Sequence, residues 1–423
     1  MEAVIYPSKV QGILPVPPSK SLAHRAVICA SLARGLSRLS NVPDSIDLKA
    51  TIGCMQAMGA QMSFRDGVWL IRGFDPLNVQ GPLRLNCEES GSTLRFLIPI
   101  AALSGADVAF SGQGRLLERP MGIYADLFLS QHLRFVQGAK SIDVRGPLQG
   151  GLFEIPGNVS SQFISGLLLA LPLQEKNSAI AVLPPYESRS YTDLTVSTLR
   201  RFGAVINEPT DEGYEIPGGQ HYKATCLQIE GDYSQFAFPA VLAALCGEIT
   251  CTGLAPDSLQ GDRVIVDLLE KAGAEVVREG ETITVRKAAL QGQEIDLADC
   301  PDLGPILCVL AAYSEGTTRI FHAARLRLKE SDRIAAMEEE LKKWGVQISS
   351  DEDSITITGK PAYKRTGVVV DGHNDHRIVM AMTVFALAAE NPSAIQGCQA
   401  VRKSWPDFFS DLKKVKAKVS VKE

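Results

Sequence analysis

One pattern recurs six times along this chain and limits what it can fold into. A small-residue apolar segment of helical character follows Arg25, Arg95, Gln162, Gln235, Gly304 and Arg377, at intervals of 67 to 73 residues. After each comes a short strand-like piece, at 37–42, 106–112, 178–183, 248–253, 317–323 and 393–397. In five repeats a second, more amphipathic helix is predicted next, as at 191–202 before Gly203-Ala204 and 262–272 before Gly273-Ala274, where glycine suits a C-cap. Alternating apolar and polar residues around tight turns then predict hairpins near 60–73, 274–287 and 346–360.

The unit is thus β-α-β-α-β-β. First helices that are apolar nearly all round must be enclosed by protein, whereas second helices with a polar face belong outside. Three units around a shared set of buried helices make a domain, so six make two. A solenoid is the competing arrangement, but solenoid repeats run about 20–45 residues, and these are longer. The last repeat ends in a single strand-like piece, 416–422, which the N-terminal strand Ala3–Ile5 would complete. Both chain ends then fall in one domain, 1–19 plus 230–423, with 20–229 inserted.

Of the 423 residues, 45% are hydrophobic and 22% charged, an ordinary globular balance, and the net charge of -5 argues against a nucleic-acid binder. Nine dispersed cysteines without a C-x-x-C pair read as reduced thiols rather than a disulfide framework or zinc site. The longest apolar run, 378–389, is too short to span a bilayer, and the N-terminus lacks the layout of a signal or transit segment. A cytoplasmic protein without membrane contact is expected.

The residues ahead of the first helices carry charge as well as caps. The segment 327–333 places Lys329, Glu330 and Arg333 around a helix start for which Ser331 is the expected N-cap. The other starts include Lys20, Arg25, Arg95, Arg377 and the pair Ser160-Ser161, and all six offer N-cap residues or glycine. Cations in a first turn oppose the helix dipole, and such violations tend to mark function. If the N-termini gather on one face of each domain, two facing domains enclose a cleft rich in Lys20, Arg25, Arg95, Arg119, Arg333, Arg377 and Lys403. Such a cleft suits small ligands that carry phosphate and carboxylate together. No P-loop or dinucleotide-binding glycine motif is present, and His373 with His376 lacks a third ligand for a metal.

In order along the chain stand Pro18-Ser19-Lys20-Ser21 with Arg25, Glu89-Ser90-Gly91-Ser92-Thr93 with Arg95, and Glu118-Arg119-Pro120-Met121-Gly122. Then come Val159-Ser160-Ser161-Gln162-Phe163, Ser188 with Tyr191, Pro301-Asp302, Lys329-Glu330-Ser331-Asp332-Arg333, Asn374-Asp375-His376-Arg377 and Lys403-Ser404-Trp405-Pro406-Asp407-Phe408. On these motifs, one per repeat tip, the chain resembles the 5-enolpyruvylshikimate-3-phosphate synthase family of enolpyruvyl transferases from end to end. The resemblance implies a two-domain inside-out α/β barrel, three βαβαββ repeats per domain, joined by a double crossover. It implies transfer of the enolpyruvyl group of phosphoenolpyruvate to the 5-hydroxyl of shikimate 3-phosphate, with phosphate lost through a tetrahedral intermediate. No metal or other cofactor and a monomeric state are implied too.

By the same resemblance Ser160, Ser161 and Ser188 hold the shikimate phosphate, Ser21 and Arg25 fix its carboxylate side, and Gln162 bridges both ligands. Lys20, Gly91, Arg119, Arg333, Arg377 and Lys403 bind phosphoenolpyruvate; Asp302 and Lys329 orient and deprotonate the 5-hydroxyl; Glu330 protonates the methylene carbon. Lys20 reaches both ligands and by the same resemblance counts with Asp302, Lys329 and Glu330 among the catalytic residues. Structural readings compete for single residues: Ser160-Ser161 as a cap, Arg95 as partner of Glu89 or Glu118, His376 as an orienter of Glu330 or a nearby Asp, and Glu118 as partner of Arg119 or Arg115. Glu89, Arg325 and the bulky Tyr233–Phe236 stretch depart from the family pattern. Two other functions stand beside this one, the sister UDP-N-acetylglucosamine enolpyruvyl transferase and a non-catalytic anion-binding protein. The sister's loop cysteine has no counterpart in Gly112–Arg119, and a mere anion binder would need neither Glu330 nor Asp302.

Overall fold

Alternation of buried and half-exposed helices sets the architecture of the computed structural model, which describes residues 1–207 and 213–422. In chain order the helices are α1 (Lys20–Leu32), α2 (Ile46–Met58), α3 (Gly91–Ala101), α4 (Gly122–Ser130), α5 (Ser161–Ala170) and α6 (Arg189–Arg201). The second half repeats the scheme with α7 (Tyr233–Cys246), α8 (Ile265–Ala272), α9 (Gly304–Tyr313), α10 (Arg333–Lys343), α11 (His376–Ala388) and α12 (Phe408–Lys414). Odd-numbered helices are the apolar first helices. In α11 every residue from His376 to Leu387 is buried, whereas amphipathic α10 keeps only one face inside. Burying each large aliphatic or aromatic side chain in such a helix contributes about 1.5–3 kcal/mol.

The chain divides into two units, Met1–Pro18 with Glu230–Glu423, and Ser19–Ile229. Each has its own apolar core, and no core residue is shared. In the terminal unit all three sheets have four strands and one plan: a parallel pair followed by two antiparallel partners. One of them runs 369–371, 393–396, 2–6, 418–422, so the strand Glu2–Tyr6 does complete the last repeat. In the inserted unit two sheets have the same four-stranded plan, and a third has three strands among the described residues. The strand leading into α1, Val10–Pro15, pairs in the terminal unit with Gly247–Thr252. The strand leading into α7, Cys226–Gln228, pairs in the inserted unit with Leu36–Ser40. This exchange of leading strands is the double crossover.

Three details of the helix starts differ from expectation. The N-cap of α10 is Asp332, whose carboxylate accepts from Ala335 N at 3.0 Å, not Ser331. Ser331 turns inward and donates to Asp375 at 3.1 Å, a stronger use for a hydroxyl once a charged acceptor is in reach. α9 has no side-chain cap, because a 3-10 turn at Pro301–Leu303 leads straight into it. α1 starts at Lys20 and α3 at Gly91, so Arg25 and Arg95 lie in the second turn of their helices, beyond the strongest opposition of the dipole. Among the described residues no helix is long and apolar enough to cross a membrane.

Candidate active site

In the terminal unit the starts of α7, α9, α10 and α11 bring together five cationic and acidic residues expected from the sequence, Asp302, Lys329, Glu330, Arg333 and Arg377. Asp302 lies at the centre. Its Oδ1 accepts from Lys329 Nζ at 3.2 Å and Arg333 Nη1 at 3.3 Å, and its Oδ2 from Arg377 Nη2 at 2.9 Å. Burial favours the neutral acid, but Arg377, Lys329 and Arg333 outweigh it and hold this carboxyl well below the usual range. Burial also lowers the pKa of Lys329, with Asp302 opposing, so its neutral form is easier to reach than that of a surface lysine. Glu330 Oε2 accepts from Arg333 Nη2 at 2.8 Å. Arg377 Nη2 also donates to Ser234 Oγ in the first turn of α7 at 2.9 Å.

A second acid, assigned no role from the sequence, organises the same cluster. Asp375 is fully buried as N-cap of α11 and accepts from Arg377 N and from Arg333 Nε, both at 2.8 Å. Burial opposes its ionisation, yet Arg333 lowers its pKa, so Arg333 is clamped between Asp375, Asp302 and Glu330. Those three carboxylates together raise the guanidinium pKa against the pull of burial. Lys403, at the end of the 3-10 stretch Cys398–Lys403, donates to Asn374 O at 2.6 Å. His376 Nδ1 lies 3.9 Å from Asp375 Oδ1, and His373 points instead to Glu340 on α10.

In the inserted unit the starts of α1, α3 and α5 are capped by Ser19, Ser90 and Ser160. Lys20 Nζ donates to Asp47 Oδ2 at 2.7 Å in the first turn of α2. Behind them His24, Thr51 and Thr93 form a buried chain, with Thr51 Oγ1 2.7 Å from both His24 Nδ1 and Thr93 Oγ1. Burial, then Lys20 and Arg25, push the His24 imidazole well below its ordinary value, so it stays neutral. Gln162 joins two helix starts, accepting from Arg95 Nη1 at 2.9 Å and donating to Ser92 Oγ at 2.9 Å. Arg95 thus serves Gln162 and Pro120 O, and its guanidinium stacks 4.9 Å over the Phe163 ring. At Gly91 a Cβ would fall 2.5 Å from Arg119 Nη1, so glycine is what lets that guanidinium approach the helix start.

Arg25 is held more tightly than its motif suggested. Its donors reach Thr195 Oγ1, Ser21 O, Ser165 Oγ and Tyr191 O at 2.7 to 3.3 Å, and it stacks on Phe96. One of five N–H groups, on Nη1, is left over for a ligand. Ser161 opens α5, and Ser188 occupies the N-cap position of α6 in a left-handed conformation, without a capping bond from its side chain. Sequence reasoning missed Asp47, Asp375 and Thr195. The available signal was indirect: buried cations require acids, and Asp375 stood inside a quoted motif.

Comparison with known proteins shows the family and the fold. The profile of the family described as EPSP synthase (3-phosphoshikimate 1-carboxyvinyltransferase) matches residues 4–412. The 3-phosphoshikimate 1-carboxyvinyltransferase of Clostridium kluyveri is 43% identical over 411 residues, covering 97% of this chain and 96% of that protein. Its counterpart in Clostridioides difficile is 41% identical over 421 residues, with 97% and 96% covered. An EPSP synthase structure from Acinetobacter baumannii superposes over 100% of both chains with a TM-score of 0.82 at 26% identity. The enolpyruvyl transferase NikO from Streptomyces tendae shares the fold, with a TM-score of 0.81 at 18% identity and 99% and 98% of the chains covered.

Proposed function

The chain belongs to the EPSP synthase family, and on that premise we propose that it works as a 3-phosphoshikimate 1-carboxyvinyltransferase through the two clusters just described, one in each unit. It transfers the enolpyruvyl group of phosphoenolpyruvate to shikimate 3-phosphate in the shikimate pathway. The observation that carries the division of labour is the Asp302 centre, two acids kept among Lys329, Arg333 and Arg377.

In this reading ionised Asp302 accepts the 5-hydroxyl proton in a hydrogen bond and aims the oxygen, and Lys329 receives the proton as the hydroxyl oxygen bonds to C2 of phosphoenolpyruvate. The double-bond electrons move to the methylene carbon, which takes a proton from Glu330. The resulting tetrahedral adduct collapses by breaking its C2–O bond to phosphate, which leaves with the bonding pair, while the methyl carbon returns a proton to the Glu330 carboxylate and the double bond is restored. Holding both substrates in one orientation is worth about 7–11 kcal/mol of barrier. Lys20, Arg119, Arg333, Arg377 and Lys403, with Gly91 giving backbone access, neutralise phosphoenolpyruvate. Ser160, Ser161 and Ser188 take the shikimate phosphate, Ser21 and the spare N–H of Arg25 its carboxylate side, and Gln162 bridges. The reading also takes the protein as a cytoplasmic monomer.

The test is a substrate-pair assay. Phosphate release from phosphoenolpyruvate is expected only with shikimate 3-phosphate present; equal release with UDP-N-acetylglucosamine in its place would move the chain to the sister activity.

A further inference from the structure

The loop between the strand Val369–Asp371 and α11 carries Asn374, whose carbonyl receives Lys403, and Asp375, which receives Arg333. To aim both groups it bends sharply. His373 and Asn374 are consecutive non-glycine residues with φ of 48° and 51°, in the left-handed region. The left-handed region is disfavoured for residues that carry a side chain, though less so for Asn and His, so two in succession mean that neighbouring structure imposes the bend.

That structure is a carboxylate on α10. Glu340 is 0% exposed, and its Oε1 meets His373 Nε2 at 2.9 Å and accepts from Lys343 Nζ at 2.8 Å. Its Oε2 accepts from Asp371 N at 3.2 Å, on the near side of the bend, while Asp371 Oδ1 accepts from His373 N at 2.8 Å. Glu340 therefore pins the loop at two points. Because it lies seven residues after Arg333, two helical turns on, it projects from the same face of α10 as the guanidinium that holds Asp375. The loop is also packed closely at Gly372, whose N donates to Gln396 O at 2.9 Å and where a Cβ would meet Val379 at 2.6 Å. The charged groups facing His373 are Glu340 and Glu339 from α10 and Asp371 from its own strand, with Lys343 across the shared carboxylate.

We propose that His373 is a positioning residue for phosphoenolpyruvate binding: its bond to Glu340 fixes the Asn374 carbonyl, and that carbonyl fixes the ammonium of Lys403. The inference rests on the reading of Lys403 as a phosphoenolpyruvate ligand. The experiment uses the full chain and three variants, His373→Leu, His373→Gln and Lys403→Met, with KM for each substrate, kcat and the urea midpoint measured for all. Leucine and glutamine have similar size, but only glutamine keeps an N–H to offer Glu340. His373→Leu is expected to raise KM for phosphoenolpyruvate about tenfold, with KM for shikimate 3-phosphate within twofold of the parent. His373→Gln should recover most of that loss. If His373→Leu does not fold, Glu340→Gln reads the same bond from its other end and should raise the same KM. Should Lys403→Met leave KM for phosphoenolpyruvate unchanged, the reading of Lys403 is wrong and the inference goes with it. Should Lys403→Met raise that KM while the broken His373–Glu340 bond only lowers the urea midpoint, the pair is merely structural and the inference alone is overturned.

Discussion

Glu330 separates binding from chemistry at the scale of one residue. Its Oε2 is held by Arg333, and in the proposed reaction the carboxylic acid form gives its proton to carbon, a task an amide cannot perform. Glu330→Gln is expected to cut turnover by about 10²–10⁴-fold with both KM values within a few-fold, measured as phosphate release. Unchanged turnover would take Glu330 out of the chemistry. Asp302 and Asp375 make a second, independent statement about acid. Both carboxyls titrate lower when folded, so they add stability above the ordinary Asp value of about 3.9 and lose it as pH falls through their folded values. Asp375→Asn removes one of these groups and leaves Arg333 short of a partner. It should lower the neutral-pH urea midpoint and flatten the decline of that midpoint on the acid side; an unaltered acid slope would show that Asp375 is not linked to folding in this way. The sequence made the cations legible because they recur at helix starts, a local and periodic signal. Asp47, Asp375 and Thr195 carry no such signal, since their partners Lys20, Arg333 and Arg25 are 27, 42 and 170 residues away.

At the scale of elements, helix starts and strands were legible from periodicity, whereas the way helices approach one another was not. α3 and α5 show why. Pro99 inside α3 has no N–H, so the carbonyl of Arg95, one turn back, loses its helical donor. Tyr124 of α4 replaces it, its hydroxyl donating to Arg95 O at 2.7 Å while lying 3.3 Å from Phe163 O. α5 can come this close because residue 166 is glycine: a Cβ there would stand 2.4 Å from the Tyr124 hydroxyl and 2.5 Å from Arg95 O. The same carbonyl belongs to the residue that holds Gln162, which ties this packing to the site. Tyr124→Phe leaves a buried carbonyl unsatisfied and is expected to cost about 1–3 kcal/mol of stability in urea unfolding. A variant as stable as the parent would mean that water or a shifted donor takes the hydroxyl's place. Nothing in the spacing of residues 91–101 or 161–170 could have indicated this, because the phenol arrives from a third helix.

For the whole molecule, the repeat count and the return of the N-terminal strand were legible, and the consequence is a test of how far residues without chemistry control the site. Residues 1–18 carry no side chain with a proposed catalytic or binding role. They nevertheless supply the strand Glu2–Tyr6, which lies between Ser393–Gln396 and Lys418–Lys422, and the strand Val10–Pro15, which pairs along the whole of Gly247–Thr252. Removing them splits one sheet of the terminal unit and exposes an edge of another, while Ala3, Ile5, Val10 and Leu14 leave its core. Among the described residues the strands and core residues of the inserted unit Ser19–Ile229 come from within it, so its sheets and core keep their members. A chain starting at residue 19 should therefore lose activity with a protease-resistant fragment near 19–229 surviving, detected by limited proteolysis and mass spectrometry. The Asp302 cluster depends on helix starts in the unit that would be disrupted, so the loss would be of structure and not of any reacting group. Full activity in that truncated chain would show that the terminal unit closes its sheets without the strands that the chain's beginning provides.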